Sequence, residues 1–259
     1  MGGSQTAGTA FPDTTQHEIS GLKIQNLTKY YGRSTALRGL NLDIGAGECV
    51  AVFGRNGAGK TTLLRILAGL ARPSSGNFEI GFHGGKTPRF ARGAIGYLSH
   101  GMSLYPDLTA LENLRFFAGL MNAPAGRVDD GALIRRMEAV GLGGRELEPV
   151  RNYSRGMQQR LAIARAFLHD PAILLLDEPF TGLDQIGLEI LENYIRRAAS
   201  EGKTCVMTLH DLAQGYELAD RLVVIEKGAA ALDIAKRALT LGDFMERYRK
   251  IIGAGVPPA

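Results

Sequence analysis

Along the chain, short unbroken apolar runs alternate with longer stretches in which apolar residues return every three or four positions. From Ile19 onward, Leu22, Ile24 and Leu27 alternate loosely with polar residues, as an edge strand would, and Tyr30, Tyr31 and Gly32 follow as a turn. Leu40, Leu42 and Ile44 alternate strictly with Asn41 and Asp43 and predict a second strand. Cys49 to Phe53 (CVAVF) and Ala172 to Leu176 (AILLL) are continuous apolar runs, the pattern of strands covered on both faces, and Cys205 to Leu209 is another strand. A further strand is expected near Arg221 (RLVVIEKG), and Gly76 to Leu98 reads as short strands and glycine turns. A leucine-rich helix is expected from Thr61 to about Arg72-Pro73. Between His100 and about Val150 the pattern shifts toward helix. Leu111, Leu114, Phe117 and Leu120 stand at helical spacing, with Asp107 or Thr109 as cap, and ALIRRMEAVGLG follows as a second helix. A third runs from Gly156 to Asp170-Pro171. Gly187 to Ser200 predicts a helix with Glu192 and Arg196 as an i,i+4 pair, and LTLGDFMERYRKI a weakly amphipathic one. The sum is an α/β chain with a helical insertion.

Composition narrows the class. Of the 259 residues, 45% are hydrophobic and 22% charged, a balance that supports a sizeable core. The net charge of +4 is scattered rather than gathered into a basic stripe with aromatics, so no nucleic-acid partner is expected. Cys49 and Cys205 lie inside apolar runs and are expected as buried, reduced thiols. No apolar stretch approaches the ~20 residues that cross a bilayer. The small, polar residues 1–18 lack the pattern of a secretory signal and are expected to be a disordered tail. The expected location is cytoplasmic, at a membrane only through a partner.

The strongest chemical signal is GRNGAGKTT, Gly54 to Thr62, between an apolar run and a leucine-rich helix. Gly54, Gly57 and Gly59 let the backbone fold around an anion, with Arg55, Asn56 and Ala58 between them. Amides at the helix start, including that of Thr62, point where the helix dipole favours negative charge. Lys60 reaches the β- and γ-phosphates, and the Thr61 hydroxyl is placed to ligate Mg²⁺. ILLLDEP carries Asp177 and Glu178 at the end of a buried strand, at the sheet edge where ligands bind; Asp177 suits the Mg²⁺ shell, and Glu178 an attacking water. His210 ends another strand at the same edge and is suited to touch the γ-phosphate or the water. The turn TGLD, Thr181 to Asp184, follows the acidic pair. In YSRGM, Ser154 precedes a helix start, which reads either as a second anion-receiving site or as a plain Ser N-cap.

In this order (Tyr31, the loop at Gly54, YSRGM at Tyr153, the acidic pair, His210) the chain from about Leu22 to Gly228 resembles the nucleotide-binding subunit of ATP-binding cassette (ABC) transporters. The resemblance implies a P-loop NTPase core sheet with an N-terminal antiparallel β subdomain and a helical insertion subdomain over about 100–165. The ATPase domain would span 19–232, followed by a C-terminal helix and tail over 233–259. ATP and Mg²⁺ are the implied cofactors. The implied assembly is a head-to-tail dimer, with an identical or a different ATPase subunit. ATP on one phosphate loop would be covered by the partner's Ser154, Arg155, Gly156 and Met157, with Asp184 in the connecting loop and Tyr31 on the adenine. The segment from His100 to Val150 would dock integral membrane transporter subunits on the cytoplasmic face.

Two positions depart from the family's usual pattern. YSRGM stands for the commoner LSGGQ, with Arg155 replacing the first glycine, and resembles exporter-type subunits. His100 stands where most of the family has Gln, which would put an imidazole near the Mg²⁺ and the water. With GYLSH and LTALENLRF, it resembles the ATP-binding subunit of the haem exporter of cytochrome c maturation. The expected function is ATP hydrolysis that drives transmembrane export. The rival readings are a soluble ATPase of the same family in cofactor assembly and, further off, a small-molecule P-loop kinase.

Overall fold

A computed structural model describes residues 19–82, 91–99, 101–120 and 129–253. The tail expected over 1–18, His100 and the stretch 254–259 lie outside the described residues. In chain order the strands are β1 (Ile19–Tyr31), β2 (Ser34–Gly45), β3 (Cys49–Phe53), β4 (Ser75–Phe82), β5 (Ile95–Leu98), β6 (Ile173–Asp177), β7 (Thr204–Thr208), β8 (Arg221–Glu226) and β9 (Ala229–Ala235). The α-helices are α1 (Lys60–Leu67), α2 (Ala110–Leu120), α3 (Asp130–Ala139), α4 (Arg155–Ala166), α5 (Gln185–Ser200), α6 (Leu212–Leu218) and α7 (Leu241–Gly253).

The strands divide into two sheets. β2, β1 and β4 form an antiparallel sheet in that order, and β5-β6-β7-β3-β8-β9 forms the core sheet. All neighbours in the core sheet are parallel except β8 and β9. The unbroken apolar runs are explained by this placement. On β3, Val50 and Val52 face one core with Leu63, Leu64 and Ile66 of α1, while Cys49, Ala51 and Phe53 face the other. β6 divides in the same way, Ile173 and Leu175 against Leu174 and Leu176. Each such side chain taken from water contributes about 1.5–3 kcal/mol, so these strands hold the molecule's centre. The two expected thiols, Cys49 and Cys205, are buried and face each other in register across β3 and β7.

Several boundaries differ from expectation. β1 continues through Tyr31, which pairs with Ser34, so the turn is Gly32-Arg33. α1 stops at Leu67, not near Arg72, because the Leu70 amide donates to Arg65 O at 2.8 Å and closes the helix end. Thr109 caps α2: its hydroxyl accepts from Glu112 N at 3.2 Å, and Glu112 Oε2 accepts in turn from Thr109 N at 2.8 Å. Asp107, the other candidate, pairs with Arg151 instead. Arg196 does not pair with Glu192; it reaches Glu217 of α6 at 3.0 Å. α4 begins at Arg155, one residue before the expected Gly156, and its helical turns end at Ala166. β9 was not expected at all. It returns antiparallel to β8 through Lys227 and Gly228, both at positive φ (50° and 83°), a twist that suits a tight hairpin. Position 232 thus falls within a strand. Among the described residues, no helix is long and apolar enough to cross a membrane.

Candidate functional site: a phosphate loop at the carboxyl edge of the core sheet

The site gathers at the carboxyl ends of β6, β7 and β3, which the sheet brings level: Asp177 pairs with Thr208, and Thr208 with Val52. The turn after β3 is tightly seated. A Cβ on Gly54 (φ 151°) would stand 2.2 Å from Ile225 O, and one on Gly59 (φ 109°) 2.3 Å from Ala36 O. No side chain larger than hydrogen fits at either place. Gly59 is also the N-cap of α1, with no side chain bonded over the helix start and no acidic residue in its first turn. The first amides of such a helix lack internal partners and can receive an anion. Ala58 braces the loop from behind: its carbonyl accepts from Gly228 N at 3.1 Å, in the β8–β9 hairpin.

Lys60 is buried, with Nζ donating to Gly54 O at 2.8 Å and to Arg55 O at 3.3 Å. Burial pushes its pKa down, and the Glu178 and Asp177 carboxylates push back. Asp177 is 1% exposed. Its Oδ1 accepts from the Thr208 hydroxyl at 2.8 Å and the Thr61 hydroxyl at 3.1 Å. Its Oδ2 is buried and, among the described residues, has no hydrogen-bond partner. A buried carboxylate oxygen left bare beside a hydroxyl is a hard oxygen site, and the donors fit Mg²⁺.

Glu178 has a positive φ of 50°, a backbone state that non-glycine residues rarely adopt and that gathers at functional positions. Its amide holds that turn by donating to Thr208 Oγ1 at 2.9 Å. Its Oε1 lies 2.6 Å from His210 Nε2, so the histidine expected at the phosphate is aimed at the carboxylate. Thr208 escaped the sequence reading, although its hydroxyl bonds both acidic residues. A polar residue inside the buried run CVMTL, two positions before His210, is the signal that marks it.

YSRGM sits at the head of α4. Ser154 is the N-cap, accepting from Met157 N at 3.2 Å. Tyr153 is buried, with its hydroxyl donating to Arg145 O at 2.7 Å. Gly156 faces Asp184, where a Cβ would stand 2.8 Å from Oδ2. Asp184 caps α5 by accepting from Gly187 N at 2.8 Å and lies 3.6 Å from Arg160 Nε. Among the described residues, no hydrogen bond or ion pair joins Ser154, Arg155, Gly156 or Met157 to the phosphate loop. Asn56 is exposed and Thr62 half-buried. Tyr31 is half exposed, with the Lys29 ammonium 4.9 Å from its ring centre. His100 lies outside the described residues, and its place beside Mg²⁺ is not part of this geometry.

The family model of ABC transporters matches residues 37–181, from β2 through the loop, YSRGM and the acidic pair. The chain belongs to the ABC transporter family. It is similar to the lantibiotic transport ATP-binding protein SrtF of Streptococcus pyogenes, 37% identical over 212 residues, with 82% of this chain and 90% of that one covered. It is similar to the Nod factor export ATP-binding protein I of Burkholderia orbicola at 37% over 224 residues, covering 85% and 73%. It is also similar to the sulfate/thiosulfate import ATP-binding protein CysA 2 of Rhizobium meliloti, at 39% over 214 residues, covering 80% and 58%. Among solved structures, the dimeric post-hydrolysis state of the ATP-binding cassette MJ0796 with ADP and Pi superposes with a TM-score of 0.73 at 28% identity. That match covers 84% of this chain and 100% of that one. The ABC-type fold expected from the sequence is thus the fold of this chain, and it is an ATP-binding subunit of the ABC type.

Proposed function

We propose that this ABC subunit hydrolyses ATP to drive a membrane transporter, working as one half of a head-to-tail pair. The observation that carries the reading is the 2.6 Å contact between His210 and Glu178, one residue past the bare Asp177 oxygen. The loop amides and Lys60 hold the β- and γ-phosphates, and Tyr31 lies against the adenine. Held by Asp177 and Thr61, Mg²⁺ would neutralise charge on the phosphate oxygens. Glu178 takes a proton from the water that attacks the γ-phosphorus in line, and the bond to the leaving ADP oxygen breaks. His210 fixes the Glu178 carboxylate and donates to it when its Nε2 carries the proton.

Two features support the pairing. Ser154 has its side chain at a helix start with no tie to its own phosphate loop, and the similar cassette MJ0796 is described as dimeric with ADP and Pi. Ser154, Arg155, Gly156 and Met157 would close over a partner's ATP. The helical part would dock the membrane subunit from the cytoplasmic side. Tyr105 and Phe116 stack edge to face at 4.9 Å while 47% and 41% exposed, and Leu120 beside them is 63% exposed, a surface suited to a cover. Export is favoured by YSRGM and by the names of the lantibiotic and Nod factor relatives. The narrower reading as a haem exporter rests on His100, GYLSH and LTALENLRF.

Glu178→Gln is the deciding variant. Turnover should drop by about 10²–10⁴-fold with ATP binding retained, because the amide keeps its place and cannot take the proton. Hydrolysis at the unmodified rate would remove Glu178 from the reaction.

A further inference from the structure

Arg165 is a buried cation that the reaction above does not use. It lies on α4, eleven positions after Ser154, and is 7% exposed. Its Nη1 donates to Ser103 O at 2.9 Å and its Nη2 to Tyr97 O at 3.3 Å. Its guanidinium carbon stands 5.0 Å from the centre of the Phe117 ring on α2. Among the described residues no carboxylate pairs with it; burial alone pushes its pKa down to about 10, so it stays charged at neutral pH. A desolvated charge held only by carbonyls is costly unless the geometry is fixed, and charged hydrogen bonds are the strong ones. The two carbonyls belong to different segments. Tyr97 is on β5, which pairs with β6, and its neighbour Leu98 lies opposite Leu176, the residue before Asp177. Ser103 begins the path to the helical part and is itself held at a positive φ of 47°. The Tyr97 side chain feels the Asp177 carboxylate: its phenol is raised to about 12, first by burial and next by that charge.

One guanidinium therefore ties the far end of α4 to the strand beside the Mg²⁺ carboxylate and to the entry of the helical part. The near end of the same helix carries Ser154, about 16 Å away at 1.5 Å per residue. We propose that Arg165 is a positioning residue that couples the two ATP sites of the pair, transmitting the state of this subunit's own phosphate centre along α4 to the Ser154 that serves its partner. The inference rests on the head-to-tail reading. Lysine cannot reproduce the coupling, because an ammonium lacks the planar fork that spans two carbonyls and stacks on a ring.

The test is the ATP dependence of hydrolysis by the full chain and by Arg165→Lys, with dimer formation followed by sedimentation. The wild type should show a Hill coefficient above 1. Arg165→Lys should bring it to about 1, with the half-saturating ATP concentration within about twofold; a merely structural loss would lower the amount of active protein and leave the coefficient alone. Should Arg165→Lys fail to fold, Phe117→Leu replaces it. That variant removes the ring seat, keeps both carbonyls, and should lower the coefficient part of the way. An unchanged coefficient in the folded variants overturns the coupling. A wild-type coefficient of 1 in a preparation that dimerises with ATP also overturns it and leaves the pairing standing. A wild type that hydrolyses ATP at full rate as a strict monomer overturns both.

Discussion

At the scale of the residue, Asp177 has the least ordinary surroundings. One carboxylate oxygen accepts two hydroxyls, and the other is buried with no hydrogen-bond partner among the described residues, so the fold holds a carboxyl group out of water with half of its bonding capacity unmet. Such an arrangement costs stability and is kept where a cation is expected to complete it. Asp177→Asn keeps the shape and the Oδ1 acceptor while removing the charge. It should melt no lower than the wild type, and its ATPase activity should lose its dependence on added Mg²⁺ and fall to background. A thermal melt beside a Mg²⁺ titration of turnover checks both halves; a lower melting temperature would mean that the charge stabilises the folded state. Glu178 shows the same economy. Its strained φ turns the carboxylate toward His210, and Thr208, two residues before that histidine, secures the turn through the Glu178 amide.

At the scale of the element, α4 is the part that joins distant features. Ser154 starts it, Arg160 ties it to the end of α3 through Val140 O and Gly141 O at 3.1 and 3.0 Å, Arg165 ties it to β5, and His169 follows its end. His169 is half-buried with Nε2 3.2 Å from Ile95 O, and because a carbonyl only accepts, that nitrogen carries the proton of a neutral ring. Burial lowers the imidazole pKa, with the Ile95 bond opposing in part. As pH falls below about 6.5, the unfolded chain takes up a proton that the folded chain refuses, so stability declines until the lowered folded pKa is reached. His169→Gln keeps an N–H for Ile95 O and does not titrate. Its urea midpoint should therefore fall less between pH 7.5 and pH 5 than that of the wild type; equal falls would exclude His169 as the source. Strands and helices of this kind were legible in the sequence where periodicity is strong, as in CVAVF and ILLLD. β9 was not, because AAALDIA carries little alternation and acquires its strand only by pairing with β8. The expected Glu192–Arg196 pair failed for a related reason. Spacing along one helix cannot reveal that α6 offers Arg196 a nearer carboxylate in Glu217.

At the scale of the whole molecule, the phosphate loop and YSRGM lie in one chain, yet among the described residues Ser154 bonds only within its own helix start. In the proposed pairing, a second copy would complete the centre. Ser154→Asp separates the two roles that the residue could have. Aspartate caps a helix about as well as serine, so the isolated subunit should fold with unchanged stability. The added charge would face the partner's phosphates, so ATP-dependent dimerisation and turnover should both be lost. Sedimentation with ATP and a melt without it read the two effects, and retained dimerisation would reduce Ser154 to a cap. The sequence by itself determined the motifs that mark the family and the class of fold, because glycine spacing, strand-end carboxylates and apolar runs are local properties that survive any arrangement. Only the tertiary structure decided that His210 serves Glu178, that Thr208 joins both acids, and that Arg165 bridges α4 and β5. Those contacts depend on which strand lies beside which. That order is set by burial of the two sheet faces over the entire chain, and no stretch of sequence carries it alone.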